Sequence, residues 1–129
     1  MKTQVLQTFA ALALITTSAT AQDNPMENHT ASYIAMPAAE GQTGAFAEFL
    51  AGAAPIVRET EPGTVLWFAL QADDTLAIFD IFADNSGREA HFAGQVAGLL
   101  NEKASVLVEG GWDDGVVANV SNFDILAIK

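Results

Sequence analysis

Cysteine is absent from the 129 residues, so no disulfide can hold the chain together and no thiolate can act as nucleophile or metal ligand. Basic residues are nearly as scarce: five Lys and Arg stand against sixteen Asp and Glu, a formal net charge of −11. A surface of that sign repels phosphate backbones and anionic lipid, which excludes nucleic acid as a partner. The acids are dispersed along the chain, the pattern of a solubilising surface. No run approaches the roughly 18 apolar residues of a membrane-spanning helix, so no membrane insertion is expected. Metal-binding spacings are missing too: there is no HxxxH or HExxH, and His29 is the only histidine besides His91. With no glycine-rich phosphate loop, no dinucleotide fingerprint and no nucleophile elbow, neither a metal nor another cofactor is expected.

The N-terminus carries a different signal. Lys2 precedes an apolar stretch from Phe9 to Ile15, and Ala19-Thr20-Ala21 supplies a small-x-small cleavage site in the required place. Residues 1–21 are therefore expected to be a secretory signal, which makes the protein exported, to the periplasm or the medium. Residues 22–29 form a polar leader containing Pro25, and residues 30–129 form the domain. After cleavage, stability must come from packing alone, and so small a domain gains from oligomerisation.

Within the domain, Thr30 to Met36 reads as a strand stopped by Pro37. Phe46, Phe49, Leu50, Ala53 and Val57 fall at helical spacing, with Pro55 expected to kink or fray the end of that helix. Glu61-Pro62-Gly63 is a turn signal before a strand from Thr64 to Gln71, which reverses at Ala72-Asp73-Asp74 into a strand from Thr75 to Ala83. Ser86, three residues before Glu89, has the spacing of a capping box. The helix it starts runs through Ala93, Val96, Leu100, Ala104 and Leu107, with a break expected near Asn101. Gly110-Gly111 ends it, and Val116 to Ile128 is expected to be a long last strand. The order β-α-β-β-α-β is that of an α+β ferredoxin-like domain.

The central hairpin is apolar on both faces. Leu66, Phe68 and Leu70 lie on one side of its first strand and Val65, Trp67 and Ala69 on the other, whereas a sheet covered on one face alternates apolar with polar. Two helices cover one face only, so the other is expected to meet a second copy in a homodimer with a barrel-like interior.

Few residues are left for chemistry. Asp80 interrupts Leu76-Ala77-Ile78-Phe79-Asp80-Ile81-Phe82 on the face of Ile78 and Phe82, where a lone carboxylate costs several kcal/mol, of the order of one ion's desolvation, unless it is paired. Arg88, His91 and Gln95 repeat at helical spacing as one polar stripe, from which Arg88 can reach Asp80 or Asp84. Trp67, Phe68, Phe79 and Phe82 cluster on the hairpin, either as plain core or as the lining for a flat apolar ligand.

The stretches Glu61-Pro62-Gly63-Thr64-Val65-Leu66-Trp67, Ile78-Phe79-Asp80-Ile81-Phe82-Ala83-Asp84 and Gly87-Arg88-Glu89-Ala90-His91-Phe92 resemble the antibiotic-biosynthesis-monooxygenase domain and its quinol-monooxygenase relatives. The resemblance spans residues 30–129. It implies a dimer of ferredoxin-like subunits, each with a pocket between sheet and helices. It also implies oxidation of a quinol or polyphenolic aromatic compound by O₂ without metal or flavin, the substrate carbanion passing an electron to oxygen; other members degrade haem. By position, Asp80 and His91 match the strand acid and helix histidine of the catalytic site, and Trp67 and Phe82 match pocket-lining aromatics, with Arg88 beside them as a substrate-binding candidate. One departure is Val96, where quinol-oxidising relatives often carry a second histidine. A haem site is disfavoured by the single helix histidine and the acidic chain. The alternative to catalysis is an exported binding protein that sequesters an apolar aromatic ligand.

Overall fold

The computed structural model describes residues 28–129, so the expected signal segment and nearly all of the leader lie outside the described residues. The elements follow as β1 (Thr30–Pro37), α1 (Thr43–Thr60), β2 (Thr64–Ala72), β3 (Thr75–Phe82), α2 (Asn85–Phe92), α3 (Gln95–Leu107), α4 (Gly111–Gly115), a turn of 3-10 helix (Val117–Asn119) and β4 (Val120–Asp124). The strands form one antiparallel sheet in the order β2-β3-β1-β4, the ferredoxin-like arrangement. Among the described residues no helix is long and apolar enough to cross a membrane.

Alternation along the strands decides what each face meets. Met36 and Ile34 of β1 and Leu76 and Ile78 of β3 point to the helices, where they bury against Phe46 and Leu50 of α1 and Leu100 and Ala104 of α3. Helix α1 buries Phe46, Leu50, Ala53 and Val57 on one stripe and continues five residues past Pro55 to Thr60. The proline is tolerated because it lies on the exposed side, where the carbonyl of Ala51 that it leaves unpaired can meet water. The β2–β3 reversal is a two-residue turn, with Ala72 opposite Thr75 and Asp73 in the left-handed region that aspartate tolerates.

The second half of the chain departs from the sequence expectation in three places. Asp84, not Ser86, caps α2: its Oδ1 accepts from the amide of Gly87 at 3.0 Å and from the Ser86 hydroxyl at 2.6 Å. The helical run breaks at Ala93-Gly94, not near Asn101, and α3 passes through Asn101 unbroken. Glycine stands at the break, where a Cβ would fall 2.8 Å from Oε1 of Glu61. The long last strand is reduced to Val120–Asp124 because α4 and the 3-10 turn fold Trp112 and Val116 back onto the core.

The face away from the helices keeps its apolar side chains. Tyr33, Leu66, Phe68, Leu70 and Phe123 remain between 39% and 50% exposed there, beside Phe79, whose ring stacks on Phe68 at 6.2 Å. On the other side, the turn of residues 61–63 sits against the start of α2 so closely that a Cβ on Gly87 would fall 2.6 Å from the carbonyl oxygen of Gly63. Backbone atoms cannot yield as a flexible side chain would. Gly87→Ala is therefore expected to lower stability by about 1–3 kcal/mol, read as a lower urea midpoint at unchanged m-value.

Candidate active site

Three segments distant in sequence bring their charges to one point. The turn after α1 supplies Glu61, β3 supplies Asp80 and the last turn of α2 supplies His91. His91 Nδ1 stands 2.8 Å from Glu61 Oε1, and Nε2 stands 3.1 Å from Asp80 Oδ2. All three side chains are buried, His91 at 4%, Asp80 at 1% and Glu61 at 7% exposure. The contact to Glu61 is a hydrogen bond, whereas neither oxygen of Asp80 has a well-aligned one. Phe82 packs its ring 5.3 Å from the imidazole.

Burial alone would drive the imidazole towards its neutral form, but the hydrogen bonding and charge of Asp80, followed by those of Glu61, outweigh it and raise the pKa of His91 above 6.5. Burial also raises Glu61 above 4.5, an effect that His91 opposes and Asp80 reinforces. His91 thus holds a proton between two acids more readily than a free imidazole would.

His91 forms part of the wall of an apolar cavity of about 330 Å³, closed mainly by Val96, Leu100, Trp112, Val116 and Val120. That size is at the lower end for small-molecule sites. The other polar residue of this wall is Asn122, whose Oδ1 accepts the hydroxyl of fully buried Ser32 at 2.6 Å. Ser32 pairs with Asn122 on one side and Asp80 on the other, and Asp80 pairs with Trp67. Trp67, Asp80, Ser32 and Asn122 therefore form one row across all four strands on the helix-facing side.

Of the residues singled out from sequence, Asp80, His91 and Phe82 come together, and Trp67 joins them as the cross-strand neighbour of Asp80. Among these only His91 touches the apolar cavity; Asp80, Phe82 and Trp67 stand outside its lining. Arg88 does not reach Asp80 or Asp84. Its Nη2 donates to Asn85 Oδ1 at 2.9 Å on the surface, and it takes no part in the cavity wall. Gln95 is separated from His91 by the break at Gly94. Sequence reasoning missed Glu61, read as part of a turn, and also Ser32 and Asn122, which look like ordinary strand polar residues. Among the described residues no group of His, Asp and Glu is disposed to hold a metal ion.

The sheet and its helices have the ferredoxin-like arrangement also found in structures named as antibiotic biosynthesis monooxygenases. Solved structures agree. A "putative antibiotic biosynthesis monooxygenase" from Bacteroides thetaiotaomicron matches with a TM-score of 0.61 at 15% identity, over 80% of this chain and 92% of that one. SO0527 from Shewanella oneidensis matches with a TM-score of 0.63 at 18% identity, over 74% and 89% of the two chains. NE2512 from Nitrosomonas europaea, described as a protein of unknown function, shares 37% identity with a TM-score of 0.70, over 78% of this chain and 92% of its own. The chain belongs to the family of NE2512. No protein-family model matches the chain, and no curated protein matches it in sequence.

The charge cluster makes stability depend on pH. Folding holds a proton on His91 more tightly than the unfolded chain does, so this contribution is complete below about pH 6.5 and is lost as pH rises through the higher folded value. Glu61 acts in the same direction from about pH 4.5 upward. Urea unfolding is expected to show wild-type stability declining above pH 6.5, with a shallower slope in His91→Gln. Equal slopes in the two proteins would remove the imidazolium from the explanation.

Proposed function

We propose that this protein is a cofactor-independent monooxygenase that oxidises a quinol or polyphenolic aromatic compound with O₂, exported from the cytoplasm and acting as a homodimer. The observation that carries the reading is the position of His91, on the wall of an apolar cavity with both ring nitrogens against buried acids. A flat aromatic ring fits the apolar lining, and its hydroxyl can take over the longer and poorly aligned contact at Nε2. The imidazolium then stabilises the developing phenolate, and the cluster takes up the released proton. The electron-rich carbanion gives one electron to O₂, the two radicals combine, and loss of water from the hydroperoxide leaves a hydroxylated quinone. Quinol and O₂ are converted to hydroxyquinone and water. Asn122 supplies the one other polar contact on the wall, suited to an oxygen on the far side of the ring.

Deleting the imidazole outright would leave two buried acids unpaired and destabilise the fold by about 3–5 kcal/mol. Isosteric changes are the cleaner test. Oxygen uptake with a panel of reduced naphthoquinols, corrected for autoxidation, is expected to fall about 10²-fold in Asp80→Asn and in His91→Gln. Uptake by the wild type no faster than autoxidation would leave a binding protein for an apolar aromatic ligand as the reading.

The open sheet face supports the dimer, since a patch carrying five large exposed apolar side chains is unusual on a monomer. Light scattering at micromolar concentration is expected to give twice the chain mass, and Phe68→Glu to give the chain mass. A wild-type monomer would refute this assembly.

A further inference from the structure

The charge cluster separates two cavities of opposite character. His91 belongs to the wall of the apolar one and Glu61 does not. Glu61 instead lines a second cavity of about 380 Å³, formed by Val57 and Arg58 at the end of α1, Pro62 of the turn, and Thr64 to Trp67 at the start of β2. The ladder slips between Thr64 and Leu66 at this point, so the strand leaves regular pairing beside the cavity.

Three residues of the second cavity carry buried polar atoms without a partner among the described residues: Glu61 Oε2, Thr64 Oγ1 and Trp67 Nε1. One is an acceptor, one a donor, and the hydroxyl can be either. Such a set complements neutral molecules that both give and accept hydrogen bonds, and water is the smallest of them. Arg58, also in the lining, is exposed and makes no ion pair among the described residues. The charged groups around Glu61 are His91 and Asp80 within the cluster, Arg58 in the wall of this cavity, and Asp84, which lines a further cavity with Glu61 on the side of α2.

We propose that Glu61 is a proton-transfer residue that connects His91 to solvent through this polar cavity, on the side away from the ligand. A proton on His91 Nδ1 crosses the 2.8 Å contact to Glu61 Oε1, and the carboxyl turns and releases it through the hydroxyl of Thr64 to water beside Arg58. The reverse sequence reloads the imidazole. No electron moves and no bond other than those to the proton is made or broken. Proton traffic and ligand are thereby kept on opposite sides of the cluster, and the apolar chamber need not admit water. The part this route would play in turnover rests on the function proposed above, but the route itself belongs to the resting protein.

The test uses the full chain without substrate. ¹⁵N NMR at fixed pH measures exchange of the His91 imidazole protons with water. Glu61→Gln retains an acceptor for Nδ1 but cannot relay a proton, and Thr64→Val removes one hydroxyl at nearly constant shape. Both are expected to slow exchange by about 10²-fold, whereas Val117→Phe, at the exposed edge of the apolar cavity, is expected to leave it unchanged. Should Glu61→Gln not fold, Thr64→Val decides. Unaltered exchange in Thr64→Val, or slowing in Val117→Phe alone, would overturn the route. Because neither O₂ nor quinol enters the measurement, absence of oxidation would sink the proposed reaction without touching this result, and the reverse also holds.

Discussion

An imidazole held between two buried carboxyls ties together three separate parts of the chain. Asp80 is fixed by the β3 ladder, His91 by the end of α2, and Glu61 by a turn that local backbone preference alone would leave on the surface. Removing any one leaves charge in a place water cannot reach, so the three are conditions on one another. The folds of the backbone nearby follow from this demand. Gly87 and Gly63 let the turn approach α2, and the missing side chain at Gly94 admits the carboxyl of Glu61 at the point where the helical run is interrupted.

A second constraint runs sideways from the cluster along the sheet. Three polar side chains at one level, Asn122, Ser32 and Asp80, continued by the indole of Trp67 on the edge strand, interrupt an otherwise apolar surface beneath the helices. Ser32 has its hydroxyl committed to Asn122, which fixes the orientation of the amide at the cavity wall. The cluster and the far side of the apolar cavity are therefore joined by main-chain pairing, the stiffest connection the fold offers.

Much of this architecture was legible in the residues. Period-two spacing gave β1, β2 and β3 to within a residue at their ends, helical spacing gave the buried stripe of α1 but not its length past Pro55, and the two-sided apolar hairpin announced the uncovered sheet face. The carboxylate in the middle of β3 announced a buried partner. What escaped was whatever depended on three-dimensional approach. Glu61-Pro62-Gly63 looks like any turn, because nothing local says that the acid turns inward. The spacing of Ser86 and Glu89 satisfied a capping box, yet Asp84 reached the free amide first. The helix break at Gly94 had no counterpart in the apolar pattern, which continues in phase across it. After Leu107, alternation suggested a long strand, but burying Trp112 and Val116 outweighed extension of the ladder.

The division of labour between segments has an evolutionary side. Apart from His91 and Phe92, the helical part of the apolar cavity's wall comes from α3, α4 and the 3-10 turn, while the charges come from residues 61, 80 and 91. Substitutions between residues 95 and 117 can widen, narrow or reshape the chamber without disturbing the imidazole or its acids. A lineage built on this frame can thus remodel the chamber by drift in a single contiguous stretch, keeping its ionisable centre intact throughout.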